Sequence, residues 1–173
     1  MVIDSFDELV SKLTNDINDG LKLIGIDGFQ ASGKTTLSKA LKTALGENIA
    51  IIDVDDFIIK QEKLPTNQRK SYLDVIDKEK LKERISYCMD NDLRILINGV
   101  CLLDILIFLN IRAEKIIYLK RCVRYGDHIF WKDEPSLASD QNNLTYLDKE
   151  LLDYHQRTKA HESADYIYRR IED

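Results

Sequence analysis

Eight consecutive residues carry the most direct chemical signal in this chain. Gly28-Phe29-Gln30-Ala31-Ser32-Gly33-Lys34-Thr35 fits the pattern G-x-x-x-x-G-K-[ST]. In that pattern backbone amides wrap the phosphates of a nucleoside triphosphate, the lysine meets the terminal phosphates and the hydroxyl ligates Mg²⁺. Glycine lets the backbone turn tightly and approach phosphate oxygens without a Cβ in the way, and a following helix turns its free N–H groups and positive dipole end toward the same anion. From average residue usage such an octet arises by chance in roughly one chain in two hundred of this length. The flanks make chance rarer still, because the motif needs a strand before it and a helix after it. Leu23-Ile24-Gly25-Ile26 supplies the strand, and Leu37, Leu41 and Leu45 at helical spacing supply the helix. The competing reading, a glycine-bearing surface turn, explains neither flank. The candidate nucleotide contacts are therefore Gly28, Ala31, Ser32, Gly33, Lys34, Thr35 and Thr36. The cofactors this implies are ATP and Mg²⁺, with Thr35 at the metal.

An acceptor side is legible further along. Asn48 to Val54 reads as a short buried parallel strand that delivers Asp55-Asp56-Phe57 to the sheet edge carrying the phosphate loop. Ligands of open α/β sheets bind at the carboxyl ends of the strands. A carboxylate there can take the proton of an attacking hydroxyl, so Asp55 is the candidate general base, with Lys34 stabilising the transferring phosphoryl group. One of Asp53, Asp55 and Asp56 could instead cap the following turn. Asp27 could order the phosphate loop or serve only as a turn carboxylate. Ile58 to Lys70 reads as a polar loop over the substrate pocket. Beyond it, Tyr72 could stack on a ring and Asp74 could accept hydrogen bonds from a vicinal diol, against the alternative of a solvated loop aspartate. Phe57, Tyr72 and Asp74 join Asp55 as substrate-binding candidates. The strand Leu93 to Ile97 ends in Asn98, where many phosphate-loop proteins place an acid near Mg²⁺. Lys120, Arg121, Arg124 and Lys132 surround His128, Phe130 and Trp131. That segment, about 120–135, reads as a basic lid in which Arg121 stabilises transferring charge, or as a solvated basic face.

These residues need a scaffold to bring them together. Residues 4–18 place Phe6, Leu9, Val10, Leu13 and Ile17 on one helical face, and Gly46 can close the helix after the phosphate loop. Asp77 reads as the N-cap of a helix whose core face is Leu81, Ile85 and Met89. Val100 to Leu109 reads as a short helix, Lys115 to Leu119 as a fourth strand, Leu144 to Lys159 as a helix and Ala164 to Tyr168 as a fifth strand. A dozen or more residues separate successive strands, which makes right-handed crossovers and a parallel sheet the economical topology. The predicted fold is a three-layer α/β domain of the P-loop NTPase type, nucleoside- or nucleotide-kinase-like. It has about five parallel strands and helices on both faces. The 173 residues suit a single domain.

Composition narrows the functional classes. A hydrophobic share of 44% with 32% charged residues belongs to ordinary globular proteins. A net charge of −5, with no broad basic stripe, argues against extended nucleic-acid binding. Cys88, Cys101 and Cys122 show no metal or disulfide spacing and read as reduced core thiols. There is no apolar leader or membrane-length apolar run, so the expected location is the cytoplasm and the expected partner is a small-molecule acceptor, with neither nucleic acid nor membrane involved.

Several ordered pieces together resemble the uridine kinase and nicotinamide riboside kinase branch of the P-loop kinases, a group similar also to phosphoribulokinase. They are IGIDGFQASGKTTL, IIDVDDFI, YLD, ILINGVCLL, the late basic segment and SADYIY, which span nearly the whole chain. The resemblance implies Asp55 as general base, Lys34 and Thr35 as phosphate and Mg²⁺ contacts, Asp74 as a ribose-diol contact and Arg121 as a lid residue. It also implies ATP- and Mg²⁺-dependent phosphoryl transfer to a hydroxyl of a nucleoside or ribose-like metabolite. Two departures stand out. Relatives carry an acid where this chain has Asn98, which shifts metal coordination to Thr35, the nucleotide and water, assisted by Asp53 or Asp55. The aromatic nucleoside pocket is only partly represented between Lys60 and Asp74. Two alternatives remain: a regulatory nucleotide-binding protein, and an NTPase with no small-molecule acceptor.

Overall fold

A strand that is apolar on both faces can be buried only in the middle of a covered sheet. Strand β2, Leu23–Gly28, is buried at all six positions and occupies such a place. The computed structural model describes residues 1–59, 71–134 and 145–172. In chain order the strands are β1 (Val2–Ile3), β2, β3 (Ile49–Asp53), β4 (Arg94–Asn98), β5 (Lys115–Tyr125), β6 (His128–Trp131) and β7 (Tyr166–Glu172). They form one sheet in the order β1-β7-β5-β2-β4-β3, with β6 paired to β5. Every pairing is parallel except the β5–β6 hairpin.

Helices cover both faces. Helices α1 (Phe6–Asn18) and α2 (Lys34–Leu45) bury Leu9, Leu13, Leu37 and Leu41 against Ile24, Ile26, Leu96, Ile117 and Leu119. On the other face, α3 (Lys78–Asp90), α4 (Leu102–Leu109), α5 (Tyr146–Thr158) and the short α6 (Ala160–Ser163) bury Leu81, Ile85, Leu102, Ile105, Leu151 and Tyr154. Their partners there include Leu23, Ile95, Ile97 and Tyr118. Neighbours along a strand thus divide between the two cores, as the pleat requires. Side-chain caps start the helices: Ser5 accepts from Glu8 N, Asp77 from Lys80 N, and Thr145 forms a reciprocal box with Asp148. Gly46 ends α2 with a φ of 109°. The three cysteines are buried free thiols. No helix among the described residues is long and apolar enough to cross a membrane.

The α/β fold is the one expected, and the five predicted strands are β2, β3, β4, β5 and β7. Two more strands complete the sheet. Strand β1 is too short to show a period, yet Ile3 is buried as β1 pairs with β7. Strand β5 was expected to stop at Leu119, where the chain turns basic, but it runs on to Tyr125 because it has partners on both sides. Residues 120–123 pair with β7, and 122–125 pair with β6. The core face of α3 uses Cys88, while Met89, predicted to be buried, is 48% exposed. Residues 60–70, 135–144 and 173 lie outside the described residues. They include most of the expected substrate loop, the end of the expected lid segment and the predicted helix start at Leu144.

Gly25 in β2 lets α4 approach the sheet. A Cβ there would lie 2.6 Å from Ile116 Cδ1 and 2.9 Å from Leu102 Cδ2. Overfilling a packed interior costs about 1–3 kcal/mol. Gly25→Val is expected to lower the urea midpoint by a corresponding amount with an unchanged m-value, measured by equilibrium denaturation.

Candidate functional site

The carboxyl ends of β2, β3 and β4 lie side by side, with Asn98 in register with both Ile26 and Asp53. Beyond β2 the chain wraps into the phosphate loop. Ala31 has φ 56° and Gly33 φ 96°, so consecutive turns bring backbone amides inward. Gly33 is the N-cap of α2 and offers no side-chain cap, and the first turn contains no acid. Unlike α1, α3 and α5, this helix leaves its first-turn N–H groups without a capping side chain, as an anion site requires. Lys34 is buried, and its ammonium donates to the Gly28 carbonyl at 3.0 Å and the Phe29 carbonyl at 2.7 Å. Burial lowers its pKa, while the charges of Asp27, Asp55 and Asp53 oppose the shift. Ser32 is buried and its hydroxyl has no partner among the described residues. Ala31, Thr35 and Thr36 are exposed at the mouth of the loop.

The first acids after the loop fall into distinct positions. Thr35 Oγ1 donates to Asp53 Oδ2 at 2.7 Å, and Asp53 Oδ1 accepts from the Asp55 amide at 3.2 Å. Asp53 therefore both caps the 3₁₀ turn Val54–Phe57 and meets the hydroxyl expected at the metal. Asp56 is exposed. The Asp55 carboxylate accepts a 2.5 Å hydrogen bond from the Tyr72 hydroxyl. Tyr72 is buried, and burial together with Asp55 raises its phenol pKa. Its own backbone amide is held by both Glu150 oxygens, at 2.9 Å each. Instead of offering a free ring face, Tyr72 spends its hydroxyl on Asp55. Asp74 is exposed and forms a capping box with Ser71 at the start of the turn Tyr72–Val75. Phe57 packs against the core. The two turns are tied together by Ile59 N to Val75 O at 2.7 Å and Asp77 N to Phe57 O at 2.8 Å.

Asn98 is buried, and its Nδ2 has no hydrogen-bond partner among the described residues. No group of three or more His, Cys, Asp or Glu among the described residues could hold a metal. Mg²⁺ would therefore need phosphate oxygens as ligands, with Thr35 and Asp53 beside it. The residues present fit such a nucleotide-bound ion.

Behind the loop, Asp27 belongs to a buried polar group whose other members, Tyr154 and His155, the sequence did not single out. Asp27, fully buried, accepts from its neighbour Gly28 N at 2.7 Å and from the Tyr154 hydroxyl of α5, whose oxygen in turn accepts from Leu103 N at 3.2 Å. Burial raises the Asp27 pKa to about 6, although the Tyr154 and Gly28 hydrogen bonds and the Lys34 charge pull it back. His155 is also fully buried. It donates Nδ1–H to the Leu151 carbonyl, and Nε2 accepts from the Tyr118 hydroxyl, each at 2.7 Å. Its ring stacks on Phe29 of the phosphate loop at 4.2 Å between centroids, and burial lowers its pKa to about 4. Trp131 of β6 meets Phe29 edge-on at 5.8 Å and lies under Lys120. This places the basic hairpin beside the loop. Arg121, expected in a lid, lies within β5, and its guanidinium is ion-paired to the carboxylate of Asp133.

The two buried groups bias stability in opposite directions. Asp27 keeps its proton up to about pH 6 when folded but to about 3.8 when unfolded. Its contribution is complete below 3.8 and lost as pH rises to 6. The His155 contribution is complete above 6.5 and lost as pH falls toward 4. Asp27→Asn should therefore gain stability relative to wild type as pH rises from 4 to 6, measured by urea denaturation at each pH. A level difference across that window would mean that Asp27 does not titrate as a buried acid.

No family model matches the chain. Among solved structures it is similar to one described as a possible uridine kinase from Bacillus stearothermophilus, with a TM-score of 0.57 and 17% identity. The match covers 94% of this chain and 98% of that one. At that identity the likeness speaks for the fold, and this chain shares the α/β fold of that structure, a mainly parallel sheet with helices on both faces.

Proposed function

We propose that this protein is an ATP- and Mg²⁺-dependent phosphotransferase that moves the γ-phosphoryl group to a hydroxyl of a small metabolite, a nucleoside or ribose-like compound. The observation that carries this reading is the split of labour along one turn. Asp53 faces Thr35 at the phosphate loop, while Asp55, two residues on, is held by Tyr72 on the acceptor side. A pure NTP-binding module has no need of the second carboxylate. The name of the similar structure, a possible uridine kinase, agrees with the reading.

In this mechanism the amides of 28–36 and the Lys34 ammonium hold the triphosphate, and Mg²⁺ supplies charge neutralisation on the phosphates next to Thr35 and Asp53. Asp55 accepts the proton of the acceptor hydroxyl. The oxygen then bonds to the γ-phosphorus as the bond to the β,γ-bridging oxygen breaks, and ADP leaves. Tyr72 orients Asp55, and Asp74 on the adjoining turn offers a carboxylate to a diol. The β5–β6 hairpin, with Arg121 held by Asp133, stands beside the loop as a fixed basic wall.

Asn98 favours a second reading, a nucleotide-binding regulatory protein or simple NTPase, because a buried neutral amide stands where an acid would help hold the metal. A panel of nucleosides, sugars and vitamin-like alcohols, assayed for acceptor-stimulated ADP release, separates the readings. The kinase needs at least one acceptor that accelerates release. Asp55→Asn should then cut kcat/KM by about 10²–10⁴-fold while ADP still binds. Undiminished transfer in that variant would remove Asp55 from the mechanism. Tyr72→Phe is expected to lower kcat about tenfold with little change in the KM for ATP, since it removes a hydrogen bond to a charged group on the acceptor side only.

A further inference from the structure

Strand β2 ends at Gly28, opposite Leu119 of β5, but β5 and β7 continue together past that edge. This extension carries Arg121 and Arg170 in register on adjacent parallel strands, so both project to the same face of the sheet. The Arg170 guanidinium lies against Gly33. A Cβ at that left-handed glycine would collide with Arg170 Nη1, with Cζ only 3.2 Å away. A cation is thus pressed against the N-terminus of α2, next to Lys34, where the helix dipole is already positive and no side chain caps the amides. Such a cluster is unfavourable by itself and becomes favourable when an anion joins it. One internal anion is present. Glu172 Oε1 accepts from Arg170 Nη2, and its Oε2 accepts from Lys132 Nζ of the hairpin at 2.8 Å. Glu172 is Arg170's sole hydrogen-bond partner among the described residues, and both side chains are about one-third exposed.

We infer that Arg170 is a nucleotide-phosphate contact and that Glu172 is the internal carboxylate from which it is drawn when a nucleoside di- or triphosphate binds. The inference rests on the phosphate-loop reading and is independent of the acceptor. Glu172 competes with the nucleotide for the same guanidinium, so the latch trades nucleotide affinity for a compensated empty site. Lys132 of the hairpin keeps Glu172 paired once Arg170 has left it.

The test is calorimetric titration of the whole protein with MgADP and no acceptor. Arg170→Gln should weaken binding about tenfold or more, as loss of a charge-assisted hydrogen bond does. Glu172→Gln should tighten it about two- to fivefold, the scale of a partly exposed ion pair. In the double variant the gain from Glu172→Gln should vanish, because its beneficiary is gone. A Glu172→Gln gain that persists without Arg170 would reflect general charge and overturn the latch. Unchanged binding in Arg170→Gln, with Lys34→Ala abolishing it, would overturn the Arg170 contact and leave the phosphate loop intact. Failure of wild type to bind MgADP would overturn both.

Discussion

The first turn of α2 presents backbone N–H groups that no side chain caps, directly beyond a strand buried on both faces. Positive charge is concentrated there: the helix dipole, the buried Lys34 and the Arg170 guanidinium against Gly33. The protein answers with carboxylates from different parts of the chain. Asp27 lies beneath the loop, Asp53 and Asp55 stand in front of it, and Glu172 holds Arg170 from the side. Lys34 also folds onto the carbonyls of Gly28 and Phe29. The arrangement compensates this concentration of positive charge internally, and in the proposed nucleotide complex a polyphosphate would take over these roles.

The carboxylates differ in their surroundings, and the proposed roles follow from that difference. Asp27 is sealed under Tyr154 as a structural support, and burial raises its pKa to about 6. Asp53 is spent on Thr35 and on the cap of its own turn. Asp55 is exposed on one side and restrained by Tyr72 on the other, which suits a group that must meet a small molecule in a fixed orientation. Tyr72 in turn depends on Glu150 of α5, so the acceptor side is braced by the same helix that supplies Tyr154 and His155 beneath the loop.

Much of this was legible in the residues. The octet with its flanking strand and helix marked the strand-loop-helix unit that the structure contains, and the spacing to Asp53 and Asp55 placed both acids at the same edge. The choice between Asp53 and Asp55 was not legible, because three acids in four positions look alike until one is seen capping a turn. Arg170 was missed because an Arg-Arg pair near a strand end reads as a solvated face. The segment of about 120–135 was read as a basic lid because its charges gather just past the fourth strand, and only pairing on both sides makes Lys120 to Tyr125 strand.

The sequence by itself determined the local parts: a loop whose turns are set by glycine and small residues within eight positions, helices announced by their caps and periods, and strands apolar enough to demand cover on both faces. The tertiary structure alone decided the contacts across distance. Among them are Tyr72 on Asp55, Tyr154 on Asp27 and Arg170 on Gly33. The reason is physical. A strand buried on both faces shows no alternation, so its pattern does not specify the register of a parallel neighbour. Register is what sets how far β5 and β7 overrun β2, and therefore which guanidinium reaches the phosphate loop.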